Sequence, residues 1–228
     1  MKRRRDMEME LKMRSELRSA IEEFSKEALI VQPVDDQVHN AAAHIPIKPF
    51  LVVCNMVLQV LDKIGPTMAV LRQDINQNIQ RLEKFQESNP SLYSNVVEIL
   101  KKEKNEVSAR HVTSCSRAFV WLTRSLDFTV TLLQLLLKDS ELKMEKAVEE
   151  AYVVTLKPWH GWITSTAYKV ALKLVPDTKA FLAILMSNDE DNDRLKEEME
   201  MFISLLVPFL DKIHLISITF NLDNMKSP

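Results

Sequence analysis

Only two glycines, Gly65 and Gly161, interrupt 228 residues, and the stretches between them repeat apolar residues at helical spacing. Turns that need a left-handed residue have almost nowhere to form, which argues against glycine-dependent hairpins. The same scarcity rules out the phosphate-cradling P-loop and the dinucleotide fingerprint, so no nucleotide or other cofactor is expected.

With 46% apolar and 27% charged residues the chain is globular in composition, and its length suits one substantial core or two small domains. A formal charge of -2 gives no overall pull toward nucleic acid, which is not expected as a partner. Cys54 and Cys115 lie in apolar helical patterns and no secretory leader opens the chain, so reduced thiols and a cytoplasmic setting are expected. Residues 118 to 137, "AFVWLTRSLDFTVTLLQLLL", approach membrane-spanning length. Arg124 and Asp127 near the middle would each cost about 2.5–3.5 kcal/mol on insertion, so a buried helix is the reading.

Residues 1–44 read as a charged N-terminal helix or arm with a connector, and residues 45–228 as the main domain. The "KRRR" run near the start reads as a solvated arm. Pro49 marks a helix start, Gly65-Pro66 a break, and Ser114 or Ser116 a cap for the apolar segment. Residues 141–157 form a further helix, another runs toward Pro176, and "DTKAFLAILM" makes one more. A helix from about Arg194 is expected to reach Pro208, leaving a β-leaning run that could also be helical, "LDKIHLISITF", to close the chain.

Asp189, Asp191, Asp193 and Glu200 fall at calcium-loop positions, but Arg194 stands where that loop demands glycine, so the tract reads as an acid-rich helix start. The five histidines lack zinc spacing and no metal site is expected. An Asp74–His160 acid/base pair would lack an activated nucleophile, so binding rather than catalysis is expected.

The most specific pattern is polar. In "RQDINQNIQRLEKF", residues 72–85, Asp74, Asn78 and Arg81 fall at spacings of four and three and share one helix face. Two further stretches follow in order: "RAFVWLTRSLDF", residues 117–128, and "LKPWHGWI", residues 156–163. Together they resemble the glycolipid transfer protein family, from about Lys48 to the C-terminal region.

That resemblance implies an all-α, two-layer helical sandwich with a sphingolipid pocket between the layers, acting as a carrier and not an enzyme. By the resemblance, Asp74, Asn78, Arg81, Trp121 and His160 bind the headgroup and Trp162 faces the membrane during reversible contact. The residue chemistry suits these roles: a carboxylate accepts from sugar hydroxyls, an amide both donates and accepts, and an indole face lies against a pyranose. Leu71, Phe128, Leu132, Tyr168 and Leu172, at helical spacings from the motif residues, are the expected lining for the chains. At about 0.8 kcal/mol per methylene, a ceramide with about thirty of them loses on the order of 20 kcal/mol bare in water, so a carrier must wrap it.

The sequence departs from the family in having Arg81 where lysine is usual. Arg117 is similar to an arginine of the ceramide-phosphate branch, although that branch replaces the tryptophan that Trp121 retains. A neutral monohexosylceramide is therefore the expected cargo. The alternatives are an anionic sphingolipid gripped by Arg81, Arg117 and Arg124, and a sphingolipid sensor that signals to unknown protein partners through residues 1–44.

Overall fold

The computed structural model describes residues 15–30, 44–186 and 191–227. Among these residues every regular element is helical: α1 (Glu16–Ile30), α2 (Ile47–Ile64), α3 (Ala69–Ser88), α4 (Val96–Asn105), α5 (Cys115–Lys138), α6 (Met144–Thr155), α7 (Trp162–Leu172), α8 (Thr178–Leu185) and α9 (Asn192–Thr219). Short 3₁₀ turns occupy Pro66–Met68, Leu92–Ser94 and Lys157–Trp159. An isolated bridge joins Pro46 to Asn95. The fold is the expected all-α, two-layer sandwich.

Helix α5 is the hub, meeting α2, α3, α4, α6 and α9. Its apolar face is deep in the core: Phe119 is fully buried and meets the equally buried Phe50 of α2 with ring centroids 5.0 Å apart. Ser114 caps α5 by accepting from the Arg117 N–H, as one of the two expected serines. Ser116 instead donates its hydroxyl to the buried Glu103 carboxylate of α4 at 2.6 Å. Glu103 also accepts from the backbone N–H of Cys115 and Ser116, each at 2.7 Å. A carboxylate at this helix start satisfies otherwise orphaned amides and complements the positive end of the helix dipole.

Gly65 closes α2 at φ 100°, a conformation that side-chain-bearing residues avoid, and its N–H bonds the Leu61 carbonyl. Pro66 then opens the turn into α3, so the expected break at Gly65-Pro66 is a sharp corner between two helices that pack together.

The segment read as a charged helix or arm with a connector contains α1, which packs on α2 and α9 and contributes Leu17, Ala20, Ile21 and Phe24 to the common core. Ser15 at its start donates to Glu198 of α9, and Phe24 meets Phe209 edge-on at 5.2 Å. The "KRRR" run and the connector residues 31–43 lie outside the described residues.

The C-terminal expectation requires correction. Helix α9 does not stop at Pro208 but runs on to Thr219, so most of the β-leaning run takes its helical alternative. Pro208 and Ser204, whose carbonyl loses its backbone donor, are both exposed, so water can satisfy what the ring removes. Burial of Leu206, Leu210, Ile213 and Ile216 on one face outweighs the β propensity of "LISIT". Helices α5 and α9 are long and apolar enough to cross a membrane by length and composition, and both pack against their neighbours in the fold.

Candidate functional site

Between the layers lies an apolar cavity of about 910 Å³. One end is polar. On α3, the Asn78 amide donates to Asp74 at 3.4 Å and accepts from the Arg81 guanidinium at 3.1 Å, forming a chain along one helix face. Asn78 is itself 7% exposed, a buried amide with both functions engaged. Asp74 keeps solvent contact, yet desolvation by surrounding protein pushes its carboxyl above the usual value, opposed by the charges of Arg81 and Arg117.

Opposite this chain stand Trp121 of α5 and His160, whose rings lie 5.6 Å apart and tilted by 36°. The His160 Nδ1 sits 3.3 Å from the Tyr152 hydroxyl. Burial and the neighbouring Arg124 charge both lower the His160 pKa, so the imidazole is neutral at pH 7 and keeps one acceptor nitrogen. The hydroxyl partner and the absence of an Asp74–His160 bond among the described contacts do not assemble the acid/base pair considered from the sequence.

All six residues expected to grip a headgroup, Asp74, Asn78, Arg81, Arg117, Trp121 and His160, border this one cavity. So do the five expected to line the chains: Leu71, Phe128, Leu132, Tyr168 and Leu172. They come from α3, α5, α7 and the turn before α7, so convergence depends on tertiary packing. Val57, Val60 and Ile64 of α2, with Phe181 and Leu185 of α8, complete apolar walls that the motif spacing did not point to. Trp162 does not enter the cavity: at 79% exposed it projects beside Ile163, 55% exposed.

Arg124 departs from its expected place. Rather than joining Arg81 and Arg117 on the cavity wall, it is buried and donates to the carbonyl oxygens of Met225 at 2.6 Å and Asp223 at 3.0 Å. Its guanidinium lies over the rings of Trp121, at 4.8 Å, and Trp159, at 4.2 Å. Burial pushes its pKa down to about 10, which leaves it charged at pH 7. The reason is local: the chain after α9 returns across α5 and offers a row of carbonyls that a planar five-donor fork can bridge. Arg117 donates to the Lys226 carbonyl at 3.2 Å, extending the same fastening. Trp159 faces this guanidinium, while Lys157 is exposed.

The tail thereby reaches the mouth. Ser227 borders the cavity, its hydroxyl accepts from the Gly161 N–H at 2.8 Å, and its N–H donates to the Trp159 carbonyl at 2.9 Å. No sequence pattern pointed to Ser227, because its partners lie more than sixty residues away. Asp191 of the acidic tract caps α9 by accepting from the Arg194 N–H, whereas Asp189 lies outside the described residues. Cys54 and Cys115 are both buried and unbridged.

A family model described as "Glycolipid transfer protein (GLTP)" matches residues 45–187. Glycolipid transfer protein 2 of Arabidopsis thaliana is 52% identical over 227 residues, covering 100% of both chains, and glycolipid transfer protein 3 of the same plant is 50% identical with the same coverage. Among solved structures, FAPP2, which selects simple glycosphingolipids using the GLTP-fold, superposes with a TM-score of 0.77 at 24% identity, covering 94% of this chain and 100% of that one. A variant of Arabidopsis accelerated-cell-death 11 complexed with ceramide-1-phosphate also gives a TM-score of 0.77, at 18% identity, covering 92% of this chain and 97% of its own.

Proposed function

This chain belongs to the glycolipid transfer protein family, and we propose that it carries a glycosphingolipid between membranes, with a monohexosylceramide as the favoured cargo. The observation that carries this reading is the meeting of Trp121 and His160 with the Asp74–Asn78–Arg81 chain at one end of an apolar cavity. In this role Asp74 and Asn78 bond sugar hydroxyls and the ceramide amide, Trp121 supplies a flat platform for the ring, and His160 accepts from the amide region. Leu71, Phe128, Leu132, Tyr168 and Leu172 cover the hydrocarbon. The cycle is binding and release, needs no cofactor, and takes its direction from lipid gradients. Buried, unbridged Cys54 and Cys115 are compatible with a cytoplasmic carrier.

The charge balance supports sugar over phosphate. Arg124 is committed to the tail, leaving Arg81 and Arg117 beside the Asp74 carboxylate, an arrangement better suited to a neutral polyol than to a dianion. The ceramide-1-phosphate complex of the structural relative keeps an anionic sphingolipid as the second reading. Transfer of glucosylceramide and of ceramide-1-phosphate between vesicles separates them: faster glucosylceramide transfer is expected, and preferential movement of the phosphate lipid overturns the choice. The sensor reading has less support, because α1, within residues 1–44, serves the common core.

Trp162 and Ile163 form the exposed apolar point through which we place membrane contact, since an indole prefers the bilayer interface. Trp162→Ala is expected to change folding stability by less than about 0.5 kcal/mol. It weakens vesicle association roughly tenfold, the equivalent of about 1.4 kcal/mol of lost interfacial burial. Unchanged association in a sedimentation assay would remove this residue from the docking surface.

A further inference from the structure

The large cavity has a smaller neighbour. A pocket of about 380 Å³ lies between the start of α6 and the α7–α8 connection, where Lys143, Glu145, Lys173, Asp177 and Thr178 border it. Met144, Leu172, Val175 and Pro176 border both spaces, so a single layer of side chains separates them. The small pocket lies at the end away from the headgroup. On α5, Trp121 stands at the mouth and Leu133 lines the interior, and twelve residues of helical rise put them about 18 Å apart. Helix α6 runs back in the opposite sense, from Met144 to Tyr152, whose ring meets His160 at the mouth.

We propose that this rear pocket receives the methyl end of an acyl chain too long for the main cavity, so that the protein carries very-long-chain sphingolipids as well as ordinary ones. The inference rests on the carrier reading above and adds a chain-length range to it. A methylene fills about as much space as a liquid water, on the order of 30 Å³, so the main cavity, its polar mouth included, holds at most roughly thirty of them. That matches the two chains of a ceramide with a sixteen-carbon acyl group. A twenty-four-carbon acyl group adds eight methylenes, on the order of 240 Å³, which exceeds the remaining room but fits the rear pocket.

The partition is suited to opening. Met144 is unbranched and rotates about three bonds, and Leu172 sits on α7, a helix with no fully buried residue. Lys143, Glu145, Lys173 and Asp177 ring the outer side with charge. Hydrocarbon emerging past them would meet water, so the rear pocket sets an upper limit on length as well as an extension.

The test compares vesicle-to-vesicle transfer of sixteen- and twenty-four-carbon forms of one lipid, using whichever of glucosylceramide and ceramide-1-phosphate the protein moves. Wild-type protein is expected to carry both lengths. Thr178→Trp, which fills only the rear pocket, lowers the long-to-short transfer ratio at least about fivefold and leaves sixteen-carbon transfer within about twofold. Met144→Ala, which thins the partition, raises the same ratio. Wild-type protein that moves only the shorter lipid, or a ratio that neither variant shifts, overturns the rear pocket while leaving the carrier reading intact. Should Thr178→Trp fail to fold, the direction of the Met144→Ala ratio decides. Failure of wild-type protein to move either lipid defeats the carrier reading, and this inference falls with it.

Discussion

The two faces of α5 have the same helical period and opposite fates. Phe119, Leu122 and Leu126, spaced by three and four, are at most 1% exposed and packed by the chain itself. Trp121, Ser125, Phe128 and Leu132, spaced by four, three and four, border an open cavity. Across that cavity, α7 is apolar in composition yet has no buried residue. The comparison separates a frame that holds the fold from a face left for a guest. A ligand on the second face would add stability in proportion to its binding.

Cutting into each face should therefore give unequal losses. Phe119→Ala is expected to cost about 3–5 kcal/mol in denaturant unfolding, because neighbours such as Phe50 cannot collapse into the space. Leu172→Ala, on a wall already open, should cost about 1 kcal/mol or less and act chiefly on lipid retention. Equal stability losses would erase the distinction between frame and open face.

A smaller effect tests how the frame shapes the mouth. Arg124→Met removes both tail hydrogen bonds and should cost about 2–3 kcal/mol. Lipid transfer should fall further than this destabilisation explains, because Ser227 at the end of the tail borders the cavity. Undiminished transfer by folded Arg124→Met would detach the tail from the site.

The smallest expected effect is pH-dependent and opposes two histidines. His214 of α9 pairs with Asp127 of α5 at 2.9 Å, and that bond raises its pKa above the usual 6.5 against partial desolvation. Its stabilisation is fully present below the unfolded value and is lost as the pH rises through the folded one. His160 at the mouth behaves oppositely: its lowered pKa makes protonation costly, so stability declines as the pH falls below about 6.5. His214→Gln should therefore be less stable than wild type at pH 5.5 and match it by pH 9, a difference readable by thermal unfolding. A constant difference across that range would contradict the assignment.

Much of the helical architecture and one polar helix face were legible in the sequence. Asp74, Asn78 and Arg81 belong to one turn-to-turn face, so spacing alone placed them together. Bringing Trp121 and His160 to that face required the family resemblance, since their meeting depends on packing between α5 and the turn before α7. Arg124 was legible as a cation but not as a fastener, because its acceptors are backbone carbonyls about a hundred residues on, which carry no residue signature. At Pro208 the local rule pointed to a helix end, but an exposed proline on a helix held by its opposite face overrode that rule. Residues 16–30 read as part of a charged helix or arm outside the main domain because charge dominates their composition, whereas Leu17, Ile21 and Phe24 recur at core spacing. The cavity itself was illegible, because a packed face and an open one use the same apolar residues.

The most direct measurement is mass spectrometry of lipid retained by the full chain purified from its native cells, set beside the Trp121→Ala variant. The account expects one monohexosylceramide per wild-type chain and its loss from the variant, with both proteins folded. A wild-type chain that retains a lipid without a sphingoid base, or a variant that keeps the same sphingolipid in full, would contradict it.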